Sequence, residues 1–189
     1  MSIESTARSP ERRYTADDLL GMENAVCYEL VDGQLVWRGT GDLGSWVGMN
    51  VGRIVGNFVR DGRLGFLTGS AAGLAIFANS GDIRRASVVF TSRERMGGKL
   101  PADGHATVPP ELVVEVHSRH DRVRDIDTKV EAYFAAGVLL IWLVNPDTRV
   151  VRVLRPDGID RTFRGDAVID GGDVLPGFSC PIASFFDEG

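Results

Sequence analysis

Glu115 is the residue whose surroundings most favour a chemical role. It stands within the apolar run 112–116, which reads LVVEV. An ionised carboxylate inside an apolar strand is costly unless it is paired, hydrogen-bonded or bound to a metal. Residue types alone favour the simpler explanations, which are a structural ion pair with an arginine or a place at the exposed end of the strand. Glu115 is therefore a candidate catalytic or metal-binding residue, with a structural role as the alternative.

Lys129 follows 14 residues later, within a predicted helix. If that helix packs against the strand, the ammonium group approaches the Glu115 carboxylate. A lysine in such a place can orient an attacking water or take its proton, while a metal ion stabilises charge at phosphorus. The alternative is an ordinary solvated helix lysine, and on residue type alone it is the more common case.

Four segments occur in an order and spacing typical of one nuclease family. A hairpin pattern at 28–35 (YELVDGQL) precedes the motif 110–118 (PELVVEVHS), and 173–178 (DVLPGF) is the last of the segments. Between the last two stand Lys129, Tyr133, Gly137, Val138, Trp142, Asn145 and Pro146. Together these segments resemble the Uma2-like branch (DUF820) of the PD-(D/E)xK nuclease superfamily, over nearly the whole chain.

This resemblance implies a fold, an activity and a site. The fold is restriction-endonuclease-like, and the activity is Mg²⁺-dependent hydrolysis of phosphodiester bonds in DNA, commonly by a homodimer. The expected metal ligands are the carboxylate of Glu115 and the backbone carbonyl of Val116. Lys129 corresponds to the catalytic lysine, which in this branch has moved from the strand to the helix. Glu29 corresponds to an N-terminal acid that supports the metal ion or binds it directly.

Three positions depart from the family pattern. The Pro-Asp pair of the family falls on Ala86-Ser87, so the first metal-binding aspartate is missing. Ser45 stands where a helix usually begins with histidine, and 70–73 (SAAG) replaces an often acidic stretch. Because Mg²⁺ prefers charged oxygen ligands, a hydroxyl at position 87 implies that the magnesium site is weakened or lost.

Two hypotheses follow, and one geometric observation separates them. The first is an active endonuclease that recruits another acid, such as Asp82 or Glu29. The second is an inactive nuclease homologue that binds DNA or a protein partner through the same groove. The observation is whether any carboxylate comes within reach of Glu115 where residue 87 sits. A two-oxygen cluster near Lys129 favours the first hypothesis, and an isolated Glu115 favours the second. An enzyme of another class is a third alternative, but no nucleophile motif such as GxSxG supports it.

Basic residues near these positions are candidates for contact with DNA phosphates. One run surrounds position 87 and another follows the central motif, and from them we select Arg85, Arg119 and Arg122 as substrate-binding residues. His117, His120 and Asp121 are a weaker alternative metal set, because two imidazoles at this spacing do not complete a tetrahedral site. The tryptophans, Trp37, Trp46 and Trp142, are expected in the core.

The bulk properties allow a nuclease without requiring one. A chain of 189 residues with net charge −5 excludes a globally basic nucleic-acid binder but not a local basic groove. No apolar run is long enough to span a bilayer, and no secretory signal is evident, so we expect no membrane association and a cytoplasmic location. We expect residues 1–13 to form a flexible tail and residues 14–189 to form a single restriction-endonuclease-like domain.

The hydrophobic pattern predicts the elements that must position these side chains. We expect a mixed α/β domain in which helices flank the sheet and the strand 112–116 lies at its centre. The remaining predictions follow chain order. They are a hairpin at 28–31 and 34–37, a helix at 45–60, strands at 65–67, 74–77 and 86–90, a helix at 121–136, a hairpin at 139–144 and 150–154, and a packed terminal segment from 175.

Overall fold

A six-stranded mixed sheet forms the centre of the computed structural model, which describes residues 12–39, 41–78, 80–117 and 121–188. The helices are α1 (Ala16–Leu20), α2 (Asp42–Asp61) and α3 (Val123–Ala135), and short 3₁₀ turns lie at Ala25–Cys27 and Ile182–Phe185. The strands are β1 (Tyr28–Val31), β2 (Gln34–Trp37), β3 (Gly65–Gly69), β4 (Val88–Ser92), β5 (Leu112–Val116), β6 (Leu140–Asn145), β7 (Val150–Leu154), β8 (Asp160–Phe163), β9 (Val168–Gly171) and β10 (Leu175–Pro181).

The sheet has the strand order β3-β4-β5-β6-β7-β8. Strands β5 and β6 pair in parallel, and the other neighbours pair in antiparallel fashion. A parallel pair requires a crossover connection, and α3 supplies it between β5 and β6. Every residue of β5 is buried, as the continuous apolar run predicts for a central strand. The predicted α/β class, with a mixed sheet flanked by helices, is confirmed.

Helix α2 covers one face of the sheet. Its buried valines, at positions 47, 51, 55 and 59, join side chains of β4, β5 and β6 in the larger core. The helix also turns Gly44, Gly48 and Gly52 toward β4 and β5, so its backbone approaches the sheet closely. The predicted helix 45–60 is confirmed and begins three residues earlier, at Asp42.

Replacing Gly52 with alanine is expected to stabilise the protein. A Cβ atom at Gly52 lies 3.6 Å from Val88 Cγ2, an ordinary van der Waals contact. Since glycine within a helix costs about 1 kcal/mol relative to alanine, the free energy of unfolding rises by about that amount in urea titration. Gly56→Ala is the matched control, with a smaller gain because its Cβ would lie 3.3 Å from Leu67 Cδ2. A loss of stability in Gly52→Ala would contradict this packing.

Helix α3 covers the opposite face. Tyr133 is fully buried there, and Ile126, Val130 and Phe134 pack around the same cluster of β4, β5 and β6 side chains. Gly137, with φ of +94°, follows the end of the helix as the sequence predicts. Val123, the first residue of the helix, is exposed.

Several sequence-based boundaries differ from the structure. Leu74 makes isolated bridges with Arg84 and Ala106, so no strand forms at 74–77. Strand β4 begins at Val88 rather than position 86. Strand β8, at the edge of the sheet, was not predicted because its sequence, DRTF, is mostly polar. The terminal segment packs as expected, and there β9 and β10 form an antiparallel pair. Most of the expected tail, residues 1–11, lies outside the described part of the chain.

Candidate active site

Glu115 lies on β5 with its side chain toward α3. Its neighbours Val114 and Val116 belong to the core beneath α2, and Val113 belongs to the core beneath α3. Because successive side chains of a strand point to opposite faces, Glu115 shares the α3 face with Val113. The residue is only 8% exposed. The structure therefore places a nearly buried carboxylate between the central strand and the crossover helix.

Lys129 reaches from α3 to this carboxylate. Its Nζ atom lies 2.8 Å from Glu115 Oε1 and 2.9 Å from Glu29 Oε1. The same nitrogen lies 3.4 Å from the backbone oxygen of Arg85. One ammonium group thus joins oxygens from three separate segments of the chain. Packing of α3 against β5 brings Lys129 to the position that the sequence suggests.

Glu29 enters the site from the β1–β2 hairpin. Leu30 turns into a small core with Leu19 and Ile83, which leaves Glu29 and Val31 facing the opposite side. The backbone of Leu30 exchanges two hydrogen bonds of 2.9 Å with Ile83. This pairing places Glu29 Oε1 2.7 Å from the amide nitrogen of Arg85, which donates to it. The hairpin is therefore fixed to the segment that precedes β4.

Several donors keep the Glu29 carboxylate ionised although it is only 5% exposed. Burial alone would raise its pKa, but Lys129, the Arg85 amide and Arg38 hold the pKa below the ordinary glutamate value. Arg38 Nε lies 3.5 Å from Oε1, and Arg84 Nη1 lies 3.8 Å from Oε2. The two carboxylates are thus balanced by a lysine and two arginines.

Tyr133 fixes the orientation of Glu115. Its hydroxyl donates to Glu115 Oε1 at 2.7 Å. Burial, together with the negative charges of Glu115 and Glu29, raises the pKa of Tyr133 well above its usual range, so the hydroxyl stays protonated. Tyr133 is not among the predicted site residues, although its spacing four residues after Lys129 puts both on one helix face. Among the described residues, donors contact Oε1 of Glu115 and leave Oε2 without a hydrogen bond.

Replacing Tyr133 with phenylalanine should destabilise the protein without changing its fold. The variant loses a hydrogen bond to a buried carboxylate, and such bonds contribute about 2 kcal/mol. Urea titration should therefore give an unfolding free energy lower by about 2 kcal/mol, with an unchanged far-ultraviolet spectrum. An equal free energy of unfolding would show that the hydroxyl does not hold Glu115.

These residues lie in a pocket of about 430 Å³. Trp37, Arg38 and Gly39 line one side of it, and α3 contributes Asp125, Ile126 and Lys129. Both acidic and basic side chains reach the pocket, and Arg84, Val116, His117 and Asp121 are among its other lining residues. The pocket is large enough for a nucleotide-sized group.

Of the predicted substrate-binding arginines, Arg85 lies in the interior and Arg122 on the surface. Arg85 is 2% exposed, and its guanidinium donates to the carbonyl oxygens of Tyr28 and Ala71. Its neighbour Arg84 lines the pocket instead. Arg122 is exposed at the start of α3, outside the pocket lining. Arg119 lies outside the described residues, as does His120 of the alternative metal set.

Ser87 lies beside β5 but on its other face. Its amide donates to Val114 O, and its hydroxyl accepts a hydrogen bond of 3.1 Å from the Val116 amide. A Cβ atom built on Gly48 of α2 would lie 3.7 Å from Ser87 Cβ. Asp82 is likewise engaged elsewhere, since it accepts from the Asp32 amide at 2.9 Å. Glu29, rather than residue 87 or Asp82, is the second carboxylate beside Lys129.

The donor chemistry of the site suits a hard divalent cation, although a full set of side-chain ligands is missing. Among the described residues, no three His, Cys, Asp or Glu side chains come together as a metal site. Mg²⁺, however, is commonly bound by one or two carboxylates with water and substrate phosphate as further ligands. Glu115 Oε2, which no described donor contacts, and the neighbouring carboxylate of Glu29 are of this kind. The residues present therefore fit a weakly held Mg²⁺ ion.

Comparisons with known proteins agree with the fold. A comparison with curated proteins gave no match. A solved structure described as "a putative nuclease belonging to DUF820 from Anabaena variabilis ATCC 29413" superposes with a TM-score of 0.76. The match covers 91% of this chain and 97% of the other, at 16% sequence identity, so it establishes a shared fold. No helix in the described ranges is long and apolar enough to cross a membrane.

The family comparison covers nearly all of the sequence. A family model named Uma2 and described as "Putative restriction endonuclease" matches residues 15–183. This range contains β1 with Glu29, β5 with Glu115 and α3 with Lys129. The matched range and the shared fold confirm the resemblance, and the chain belongs to the Uma2 family.

Proposed function

We propose that this protein is a Mg²⁺-dependent endonuclease that hydrolyses phosphodiester bonds in DNA. One observation carries the proposal. The carboxylates of Glu29 and Glu115, which stand on different strands, meet at a single ammonium group, that of Lys129. A second carboxylate near Lys129 is the feature that distinguishes a working site from an isolated Glu115. Membership in a family whose model is described as "Putative restriction endonuclease" also supports the proposal.

Three groups of this chain would hold the magnesium ion. They are the carboxylate of Glu115, the backbone carbonyl of Val116 and the carboxylate of Glu29, which substitutes for the aspartate missing at Ser87. A divalent cation at this position would stabilise negative charge on the phosphate and favour ionisation of water. With one carboxylate fewer than the family pattern, we expect affinity for the ion to be weak and to improve when phosphate binds beside it.

The remaining residues bind and orient the substrate. Lys129 stands beside both carboxylates, where its ammonium group can donate to a phosphate oxygen and stabilise the charge that develops in the transition state. Arg84 and Arg38 line the same pocket and attract the phosphate backbone. Tyr133 keeps Glu115 in one orientation through its hydrogen bond to Oε1. Burial of both carboxylates limits competition from bulk water.

An inactive homologue that binds DNA or a protein through the same pocket is the second candidate. The position of Ser87 favours it. Its hydroxyl accepts from the Val116 amide and lies on the α2 face, so the residue that precedes β4 offers no acid to the pocket. In this case the pocket would keep its charged groups for binding only.

Plasmid nicking separates the two candidates. The wild type is incubated with supercoiled DNA in Mg²⁺, Mn²⁺ or EDTA, and ion binding is measured by titration calorimetry in parallel. Nicking by the wild type that depends on the ion supports the endonuclease. If the wild type binds neither ion and nicks nothing, the natural protein is an inactive homologue.

A further inference from the structure

Trp37 is unusually exposed for a tryptophan. It ends β2, directly opposite Tyr28 in the hairpin, and 68% of its surface is accessible. The expectation that Trp37 and Trp46 lie in the core is wrong, whereas Trp142 is fully buried as expected. Trp37 also lines the pocket that contains Glu115 and Lys129. A large aromatic ring therefore stands in water at the edge of the candidate active site.

Gly39 allows the indole ring to lie against the backbone. A Cβ atom at Gly39 would come within 2.0 Å of Trp37 Cη2 and Cζ3, so any other residue there would displace the ring. The ring is thus supported by the chain on one side and remains open on another. Such an arrangement presents a flat aromatic surface at a small entropic cost, since few side-chain torsions need to be fixed.

Positive charge lies in the same pocket as the ring. Arg38 follows Trp37 in the sequence, and its side chain, like those of Arg84 and Lys129, is less than one-fifth exposed. The cations pair with Glu29 and Glu115, and their remaining N–H groups can donate to a phosphate group, while the indole suits the base of the same or the next nucleotide. A base within a duplex cannot offer its face to the ring, because both faces are stacked on neighbouring bases.

We propose that Trp37 stacks on an unpaired nucleobase, so that the preferred substrate is single-stranded or locally unpaired nucleic acid. This inference rests on the proposed function, because it requires a nucleic-acid strand in the pocket. Trp37 binds the base beside the reacting phosphate and takes no part in hydrolysis. Gly39 is its positioning residue.

Trp46 is the control for the possibility that any exposed tryptophan would bind a base. It is 47% exposed on α2, outside the pocket lining, and its indole nitrogen donates to the backbone oxygen of Asp187. The chain has 3 tryptophans, and Trp142 is buried. In a Trp46→Phe chain, Trp37 is therefore the tryptophan whose fluorescence responds to a ligand in the pocket.

Binding is measured in EDTA, with an oligothymidylate of about 12 nucleotides and with a blunt duplex of the same length. We expect the single strand to quench fluorescence of the full-length Trp46→Phe chain. Trp37→Ala should weaken single-strand binding by about tenfold, because stacking on one base contributes about 1–3 kcal/mol. Trp37→Phe should retain most of the affinity. Duplex affinity should change less than twofold in each variant, and Trp46→Phe should bind like the wild type.

The results that would contradict the stacking inference differ from those that would contradict the proposed function. In one such result Trp37→Ala loses affinity equally for single strand and duplex, and in another it loses affinity for neither. Either result overturns the stacking inference and leaves the proposed endonuclease function intact. If Trp37→Ala instead turns a dimer into a monomer in size-exclusion chromatography, with unchanged single-strand affinity, the ring belongs to an interface between two copies. A wild-type chain that binds neither DNA in EDTA overturns this inference, and the dependence of plasmid nicking on the ion then decides the proposed function by itself.

Discussion

Glu115→Gln should lower the rate of plasmid nicking by at least about 10³-fold. The substitution preserves the shape of the side chain and removes the negative charge that the proposed site needs for a divalent cation. Loss of a group that stabilises charge in a transition state costs rate factors of about this size. The measurement is the initial nicking rate of purified protein in Mg²⁺ and Mn²⁺, with the melting temperature recorded for both proteins.

Glu111→Gln is the matched control for this prediction. Glu111 immediately precedes β5 and is nearly as buried as Glu115, but it accepts from the amide and hydroxyl of Ser92 and pairs with Arg95. It lies outside the pocket, so its neutralisation should lower stability and leave the nicking rate within about threefold. Equal losses of activity in both variants would mean that Glu115 acts through the fold rather than in the reaction.

The elements that position Glu115 and Lys129 were predictable because each depends on local patterning. The run LVVEV predicts a central strand, and the spacing of Ile126, Val130, Tyr133 and Phe134 predicts a helix that ends before Gly137. A strand and a helix so close in sequence commonly form a crossover unit. The approach of Lys129 to Glu115 depended on this packing and stayed a hypothesis, because on residue type alone a solvated helix lysine was the more common case.

The partnership of Glu29 with Lys129 is a different kind of feature, since the two residues stand 100 positions apart. Spacing along the chain cannot select Glu29 over Asp82 or another acid. Two features place Glu29 beside Lys129. The Leu30–Ile83 pairing fixes the hairpin next to the segment that precedes β4, and the Glu29 side chain projects from the face of β1 opposite Leu30. Family resemblance pointed to Glu29, and the residue types alone did not.

Register explains why Arg84, rather than the predicted Arg85, lines the pocket. A shift of one residue along an extended segment moves a side chain from one face to the other. Arg85 turns inward to the carbonyls of Tyr28 and Ala71, and Arg84 turns toward the pocket. Two adjacent arginines look identical in a sequence, so only the pairing of the segment can tell them apart.

Glu29→Gln should lower the free energy of unfolding by about 3 kcal/mol. The variant removes a nearly buried charge that faces Lys129, Arg38 and Arg84, and leaves these cations with less compensation. Breaking a buried ion pair on one side typically costs about 3–5 kcal/mol. Asp160→Asn is the control, because its partner Arg152 is well exposed and such pairs contribute less than about 1 kcal/mol. Similar small losses in both variants would contradict a stabilising role for Glu29.

The difference in the free energy of unfolding between the wild type and Glu29→Gln should also depend on pH, and it should shrink as the pH falls. Because Lys129 and the other donors hold the folded-state pKa of Glu29 below its ordinary value, the folded protein binds the proton less readily than the unfolded chain. The stabilisation is therefore fully present above the ordinary glutamate pKa of about 4.3. It is lost as the pH falls through the lowered folded-state pKa, where protonated Glu29 becomes as neutral as glutamine. Urea titrations of both proteins between neutral and acidic pH should converge at the acidic end. A gap that stays constant would show that the variant is destabilised by its shape rather than by its missing charge.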